Sequence, residues 1–372
     1  MPSLIQRGLS IYREKGTHSL LRKGRRFVLD RLFTHVIWKI LPKAKTLRFI
    51  SKSRVLTTLY FFLAGTFYRE QRSVLCGLAK YHELEEQQRG PRHRINRSVH
   101  RIEKGLSMKN RRSVFAEGYI QEVVSDLLVA WDSNSDDEQL RWAVDVLTEY
   151  FNTVDHTDPI AKAEAEFTDF LDTIEYSPGT RVPRPRRERD ESSVSPAELK
   201  QLAVQRTSTR WFEQRTVPRE MIDDALEVAI QSPSACNRQS YEYRFYDDPE
   251  LIDEIASLAI GASGYKDNIP CLGVIVGKQR AYFNDRDKHV IYIDASLSAM
   301  AFQFALETQG LASCCINWPA IPKNERQMEA LLDLDPDESV VMLLAIGYPD
   351  PEGMVPYSEK KGLTSVRSYN QV

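Results

Sequence analysis

Several common sources of function are missing from this 372-residue sequence. It has no Gly-x-Gly-x-x-Gly, so no dedicated dinucleotide-binding subdomain is visible. It has no His-Glu-x-x-His, and its seven histidines are scattered, which argues against a metal site. Five cysteines (Cys76, Cys236, Cys271, Cys314 and Cys315) form no Cys-x-x-Cys pair. An odd count in a long chain fits a reducing, intracellular compartment rather than a disulfide framework. The longest strongly apolar run, around Leu59–Phe67, falls short of the ~20 residues that a membrane-spanning helix needs. The first residues lack the compact charged–apolar–small pattern of a signal peptide. Together these absences predict a cytoplasmic protein with no metal.

Acidic residues are scarce at the start of the chain. Residues 1–60 hold 14 Lys and Arg against only Glu14 and Asp30, although the whole chain carries a net charge of −2. Such asymmetry points to a basic arm that meets something anionic. From Phe27 to Leu41 bulky apolar residues recur at roughly helical spacing beside the basic ones. Either an interfacial helix on an anionic membrane or an ordinary packed helix with solvated Lys and Arg satisfies that pattern. The arm predicts peripheral membrane contact through residues 1–55. Nucleic acid is not expected as a partner: the Arg run in SPGTRVPRPRRERDESSV (177–194) has no interleaved aromatic for base stacking.

What is present divides the chain in three. Residues 1–176 read as a basic, all-helical domain. Segments 117–131 and 137–155 carry apolar residues at three-to-four spacing, and 159–175 opens on Pro159, tolerated in a first turn. Residues 177–194 read as an exposed, charged linker. From 195 to 372 helices and strands interleave. Ser195-Pro196 signals a helix start. Pro218 opens a second helix, and His289–Thr308 a long apolar one closed by Gly310 and expected to be buried on most sides. Strands are predicted at Tyr241–Tyr246, Cys271–Val276, Ala312–Trp318 and Val340–Ile346. The fold expected is α+β, a central antiparallel or mixed sheet flanked by helices and preceded by an all-α domain.

Three segments carry chemistry. Arg206-Thr207-Ser208-Thr209-Arg210-Trp211-Phe212 offers two guanidiniums and hydroxyls suited to a phosphate. In Ser232-Pro233-Ser234-Ala235-Cys236-Asn237-Arg238-Gln239 small residues permit close backbone approach to a flat ring, and Asn237 and Gln239 carry amides able to read a heterocycle's edge. Tyr357-Ser358-Glu359-Lys360-Lys361-Gly362 could close a lysine pair over a phosphate. Each alone is also explained by a helix end, a turn or a solvated loop.

In this order and spacing, the segments resemble the FMN-dependent nitroreductase superfamily over nearly all of residues 196–372. The resemblance extends to Gly310-Leu311 and Gly347-Tyr348-Pro349. It implies a homodimer with FMN at the subunit interface. Arg206 and Arg210 would meet the phosphate or ribityl chain, flanked by Thr207 and Ser208, with Lys360 or Lys361 adding a further positive contact. Pro233, Ser234 and Ala235 would lie along the isoalloxazine from the partner subunit. Asn237 and Gln239 would touch the ring or ribityl hydroxyls, and Asn317–Pro319 would approach the reactive edge. No side chain need be catalytic: NAD(P)H would hand hydride to the flavin N5 and a small-molecule acceptor would follow in a ping-pong sequence. The family's usual Pro-Trp after the glutamine is Ser240-Tyr241 here. Cys314-Cys315 is read as a pair of buried small residues, because adjacent strand positions point apart.

His100–Met108 resembles a segment of nitroreductase-like proteins associated with polysaccharide biosynthesis, and implies a lid facing the site. The plain alternative is a helix end with Gly105 as cap. A competing reading of the whole chain is a scaffolding protein on a retained fold without working flavin.

Overall fold

The computed structural model describes residues 44–65, 67–87, 92–131 and 137–371. The amphipathic segment expected around 27–41 lies outside them. The chain divides into two compact units, residues 1–72 and 73–372. The segment 177–194 therefore falls inside the larger unit.

In the first unit α1 (Ala44–Ser51) and α2 (Arg54–Ala64) bury no residue. Ser53 caps α2 by accepting from the Leu56 amide at 3.3 Å, and Gly65 closes it in the left-handed conformation, φ +64°. Helix α3 (Tyr68–Glu86) continues into the second unit.

The second unit holds a helical layer and an α/β layer. The helical layer is α4 (Arg92–Leu106), α5 (Ile120–Trp131), α6 (Glu138–Phe151) and α7 (Asp158–Leu171). Their apolar stripes recur at three-to-four spacing and close on one another around Ile102, Leu127, Leu147, Tyr150 and Phe167. Gly105 is not a cap. It lies inside α4, where a Cβ would sit 2.3 Å from the Phe115 ring. Its missing side chain lets Phe115 pack edge-on against Tyr150, whose hydroxyl donates to the Phe115 carbonyl at 2.6 Å.

The segment 177–194 is largely exposed but not slack at its start. The buried Asp145 carboxylate accepts from the Gly179 amide (2.7 Å), the Arg181 amide (3.0 Å) and the Tyr176 hydroxyl (2.9 Å). A short 3-10 turn follows at Arg186–Glu188.

The α/β layer is built from α8 (Pro196–Gln205), α9 (Arg219–Ala229), β1 (Tyr241–Tyr246), α10 (Pro249–Leu258), β2 (Cys271–Lys278), α11 (Val290–Thr308), β3 (Ala312–Asn317), α12 (Pro322–Leu331), β4 (Glu338–Gly347) and α13 (Leu363–Val366). Ser195 and Glu198 form the capping box of α8. Gly310 closes α11 at φ +76°. The four strands form one sheet in the order β1-β2-β4-β3, every pair antiparallel. Its two faces bury separate cores. Ile255, Leu272, Ile316 and Met328 share one side with α10 and α12. Ile275, Phe302, Leu306 and Leu344 share the other with α9 and α11. This is the expected α+β sandwich.

Helix α11 corrects one expectation. Within the stretch 285–308 it is long and apolar enough to cross a membrane, which the run around Leu59–Phe67 is too short to do. It is instead a core helix: Ile291, Ala295, Ala299 and Phe302 are buried. Yet it is not covered on most sides, since Ile293, Leu297 and Met300 leave an exposed apolar stripe at i, i+4, i+7 spacing.

Candidate functional site

The segment after α8 runs along the sheet edge. Ser208 bridges Ser313 of β3 in the parallel sense, and the Thr209 amide donates to the Ser313 carbonyl at 3.1 Å. Phe212 bridges Pro349 beyond β4 and is buried in the same core as Leu272, and a Cβ on Gly347 would lie 2.9 Å from its ring. This pairing fixes the backbone from which Arg206, Thr207, Ser208 and Arg210 project. Arg206 caps α8, and its Nε is buried with no partner. Arg210 donates to the Ser208 carbonyl at 3.2 Å and lies 5.7 Å over the Tyr265 ring. Two guanidiniums stand near the sheet edge, and the charge of Arg206 also reaches the Glu307 carboxylate, whose pKa burial raises and that charge lowers. Such a pair of guanidiniums can hold an anion.

The second segment, between α9 and β1, is backbone under strain. Cys236, Asn237 and Gln239 all have left-handed φ, +54°, +53° and +48°. Non-glycine residues rarely adopt this region, and each costs on the order of 1–3 kcal/mol. The loop is braced from inside and outside. The Asn237 amide donates to the Ser234 carbonyl (3.0 Å), the Gln239 amide to Ser234 Oγ (3.1 Å), and Gln239 Nε2 to Asn237 Oδ1 (3.1 Å). Ala235 donates its amide to the buried Asp294 of α11 at 3.0 Å. Burial raises the Asp294 pKa, opposed by that amide and by Arg238. Arg238 is buried, donates to the Ala235 carbonyl at 3.2 Å and lies 5.0 Å over the Tyr282 ring. The Tyr282 hydroxyl meets Ser240 Oγ at 2.5 Å.

A third contributor comes from the helical layer. Asn96 Nδ2 of α4 donates to the Asn237 carbonyl (3.3 Å), and His93 Nδ1 lies 3.4 Å from the Arg238 carbonyl. Burial pushes the His93 pKa down to about 4, helped by Lys278, Arg280 and Arg238. The ring is therefore neutral near pH 7, and Nδ1 must carry its proton to donate to a carbonyl.

The structure thus sets Arg206, Thr207, Ser208 and Arg210 on one segment, and Pro233, Ser234, Ala235, Asn237 and Gln239 on another. No hydrogen bond or ion pair joins the two within one chain among the described residues. Lys360 and Lys361 are brought to neither: they are exposed, on an arm whose residues 354–371 are exposed throughout. Asn317 is exposed at the end of β3, whereas Trp318 turns inward and donates to Glu325 at 2.7 Å. The paired cysteines behave differently. Cys314 is buried, but Cys315, which points to the other face of β3, is exposed.

Sequence reasoning missed His93, Asn96, Tyr282 and Asp294. Only Asp294 left a local signal, as an acid near the start of an otherwise apolar helix.

The Nitroreductase family model matches residues 203–267 and 261–348. The C-terminal part of this chain is a nitroreductase-family domain. Curated relatives include iodotyrosine deiodinase 1 of Pongo abelii, 24% identical over 230 residues, which cover 54% of this chain and 77% of the relative. Iodotyrosine deiodinase of Nematostella vectensis is 23% identical over 206 residues, covering 48% and 76%. Among solved structures, an FMN-dependent nitroreductase of Clostridium difficile is 22% identical, covering 46% of this chain and 98% of its own at a TM-score of 0.40. Nitroreductase A of Vibrio parahaemolyticus is 19% identical, covering 46% and 76% at 0.41. The nitroreductase-family domain contains both chemistry-bearing segments up to Gly347, while the arm with Lys360 and Lys361 lies beyond the matched residues.

Proposed function

We propose that this chain is an FMN-dependent oxidoreductase that acts as a homodimer in the cytoplasm. The observation that carries the reading is the strained, multiply braced loop Ser234–Gln239 in a chain whose Arg206–Arg210 segment holds two guanidiniums, one with an orphaned Nε. The residues present fit FMN in kind. Arg206, with its orphaned Nε, and Arg210 suit a phosphate, with Thr207 and Ser208 as hydroxyl donors. Pro233, Ser234 and Ala235 expose backbone against which a flat ring can lie, and Asn237 and Gln239 offer amides to its edge. Lys360 and Lys361 are assigned to the phosphate through movement of the arm.

Bound FMN would supply the redox chemistry, accepting hydride from NAD(P)H and releasing it to a small-molecule acceptor in a ping-pong sequence. The chain's own residues bind, orient and shield. Two features support pairing of two copies: the apolar stripe Ile293, Leu297 and Met300 on α11, and the exposed apolar side chains Met354, Tyr357 and Tyr369 on the C-terminal arm. Such pairing would let one copy's loop meet the other copy's arginines. The named relatives make halogenated phenols worth testing as acceptors beside nitroaromatics.

The purified protein should bind FMN stoichiometrically, and its flavin bands should bleach on anaerobic addition of NADH or NADPH. A protein that binds FMN but is never reduced by either would refute the nicotinamide step.

Peripheral membrane contact through residues 1–55 has its own support. Phe49 is 67% exposed and the adjoining α2 leaves Phe62 79% exposed, with no acid on either helix. Co-sedimentation with anionic but not neutral vesicles is expected.

A further inference from the structure

We propose that His93 and Asn96 of α4 are positioning residues for the flavin loop, holding two consecutive loop carbonyls so that the left-handed turn is set before the cofactor binds. The inference rests on the FMN reading above and adds a role for the helical layer that the family domain does not contain.

The loop's geometry creates the need. Three non-glycine residues in the left-handed region would relax if the loop were free. Its internal hydrogen bonds tie the loop to itself but do not aim it. Aiming requires contacts to other elements. Asp294 supplies one at the Ala235 amide. His93 and Asn96 supply two at the other end, on the carbonyls of Arg238 and Asn237. They are three residues apart on one helix, so both donors share a face and act as a pair.

The helix that carries them is seated firmly. Arg97, one residue on, lies 4.3 Å over the Phe283 ring. Tyr81 of α3 packs on the same ring at 6.2 Å. Gly77 of α3 presses flush on the α/β layer, where a Cβ would sit 2.5 Å from Gln279 Cβ. Lys80 pairs with Asp335 at 2.5 Å. Arg94 of α4 pairs with Glu85 of α3 and with Asp126 of α5, so a displacement of α4 would have to break these pairs as well as the Arg97 contact.

Asn96 also carries a cost that packing alone does not explain. It is 1% exposed, and its Oδ1 has no partner. An amide buried with one end unsatisfied is less stable than an apolar residue of the same shape. Its retained hydrogen bond to the Asn237 carbonyl is the compensating feature. His93 is half-buried beside three cations that disfavour its charged form, and as a neutral ring it meets the Arg238 carbonyl through Nδ1.

The test compares FMN binding of the full chain with those of His93→Phe, His93→Asn and Asn96→Leu. Kd is read from flavin fluorescence, fold integrity from apoprotein melting, and ring environment from the shape of the bound flavin's absorption bands. His93→Phe and Asn96→Leu should each weaken FMN about fivefold, the value of one neutral hydrogen bond, and shift the bands. His93→Asn places an amide N–H near the position of Nδ1 and should restore binding to near that of the unsubstituted chain. Unchanged affinity and bands in both His93→Phe and Asn96→Leu would overturn the proposal. If His93→Phe does not fold, Asn96→Leu decides by the same criterion, since leucine fills the same space. Failure of the unsubstituted chain to bind FMN would instead count against the FMN reading itself.

Discussion

Asp145 and Arg206 are charged groups in one compact unit, but their surroundings differ. Asp145, in the helical layer, has its carboxylate filled by two backbone amides and a tyrosine hydroxyl. Arg206, at the edge of the α/β layer, keeps a buried Nε with no partner. Orphaned buried atoms occur in both layers, Asn96 Oδ1 and Gln121 Oε1 among them, so they do not separate the two regions. The helical layer closes on a continuous apolar core. The α/β layer has a strained loop, an exposed stripe on α11 and an exposed arm. Strained backbone and exposed apolar side chains suit that layer to a ligand or a second copy, and the helical layer to a scaffold.

The comparison can be broken most sharply at Asp145. Asp145→Ala removes the buried acceptor of three hydrogen bonds whose donors lie at or near the surface, and should cost about 2–3 kcal/mol in urea denaturation of the apoprotein. The loss should be the same with and without FMN once ligand binding itself is subtracted.

His93 gives a pH test of the contact between the two regions. Its folded pKa of about 4 lies below the ordinary 6.5. The unfolded chain therefore binds the extra proton first, so the stability contributed is full above pH 6.5 and is lost as pH falls towards 4. The difference is at most about 3 kcal/mol. His93→Asn, which cannot titrate, should lose correspondingly less stability than the unsubstituted chain across that window. Parallel pH profiles would contradict the assignment.

Arg206→Ala should behave in the opposite way from Asp145→Ala. Apoprotein stability should barely move, while FMN affinity falls by about 1.5–3 kcal/mol, roughly 10- to 150-fold. An unchanged FMN titration would remove Arg206 from the site. The smallest effect on stability is expected at Leu297→Lys, within about 0.5 kcal/mol on an already exposed position. Its consequence should be seen in sedimentation equilibrium, as a shift from dimer to monomer.

Much of this architecture was legible because periodicity is local. Strand Tyr241–Tyr246, the starts of α8 and α9, the span of α11 to within a residue, and the capping role of Ser195 follow from alternation, three-to-four spacing and N-cap chemistry. What escaped was non-local. Asn96 and Asn237 are separated by 141 residues, and nothing near either announces the other. Gly105 was read from its neighbours as a helix stop, although what it serves is the ring of Phe115 across the layer. Cys315 is exposed although free cysteines are usually buried, because adjacent positions of β3 point to opposite faces and the sequence does not tell which face is covered. The phosphate-type arginines were visible from residue type alone, whereas the strain in the loop is a property of φ angles that no side chain records.

The measurement that bears most directly on the central claim is an absorbance titration of the purified full-length chain with FMN, followed by anaerobic addition of NADH or NADPH. Saturable binding near one FMN per chain, with bands that bleach on reduction, is the expected result. No binding at excess FMN would contradict the account and leave the fold as a scaffold.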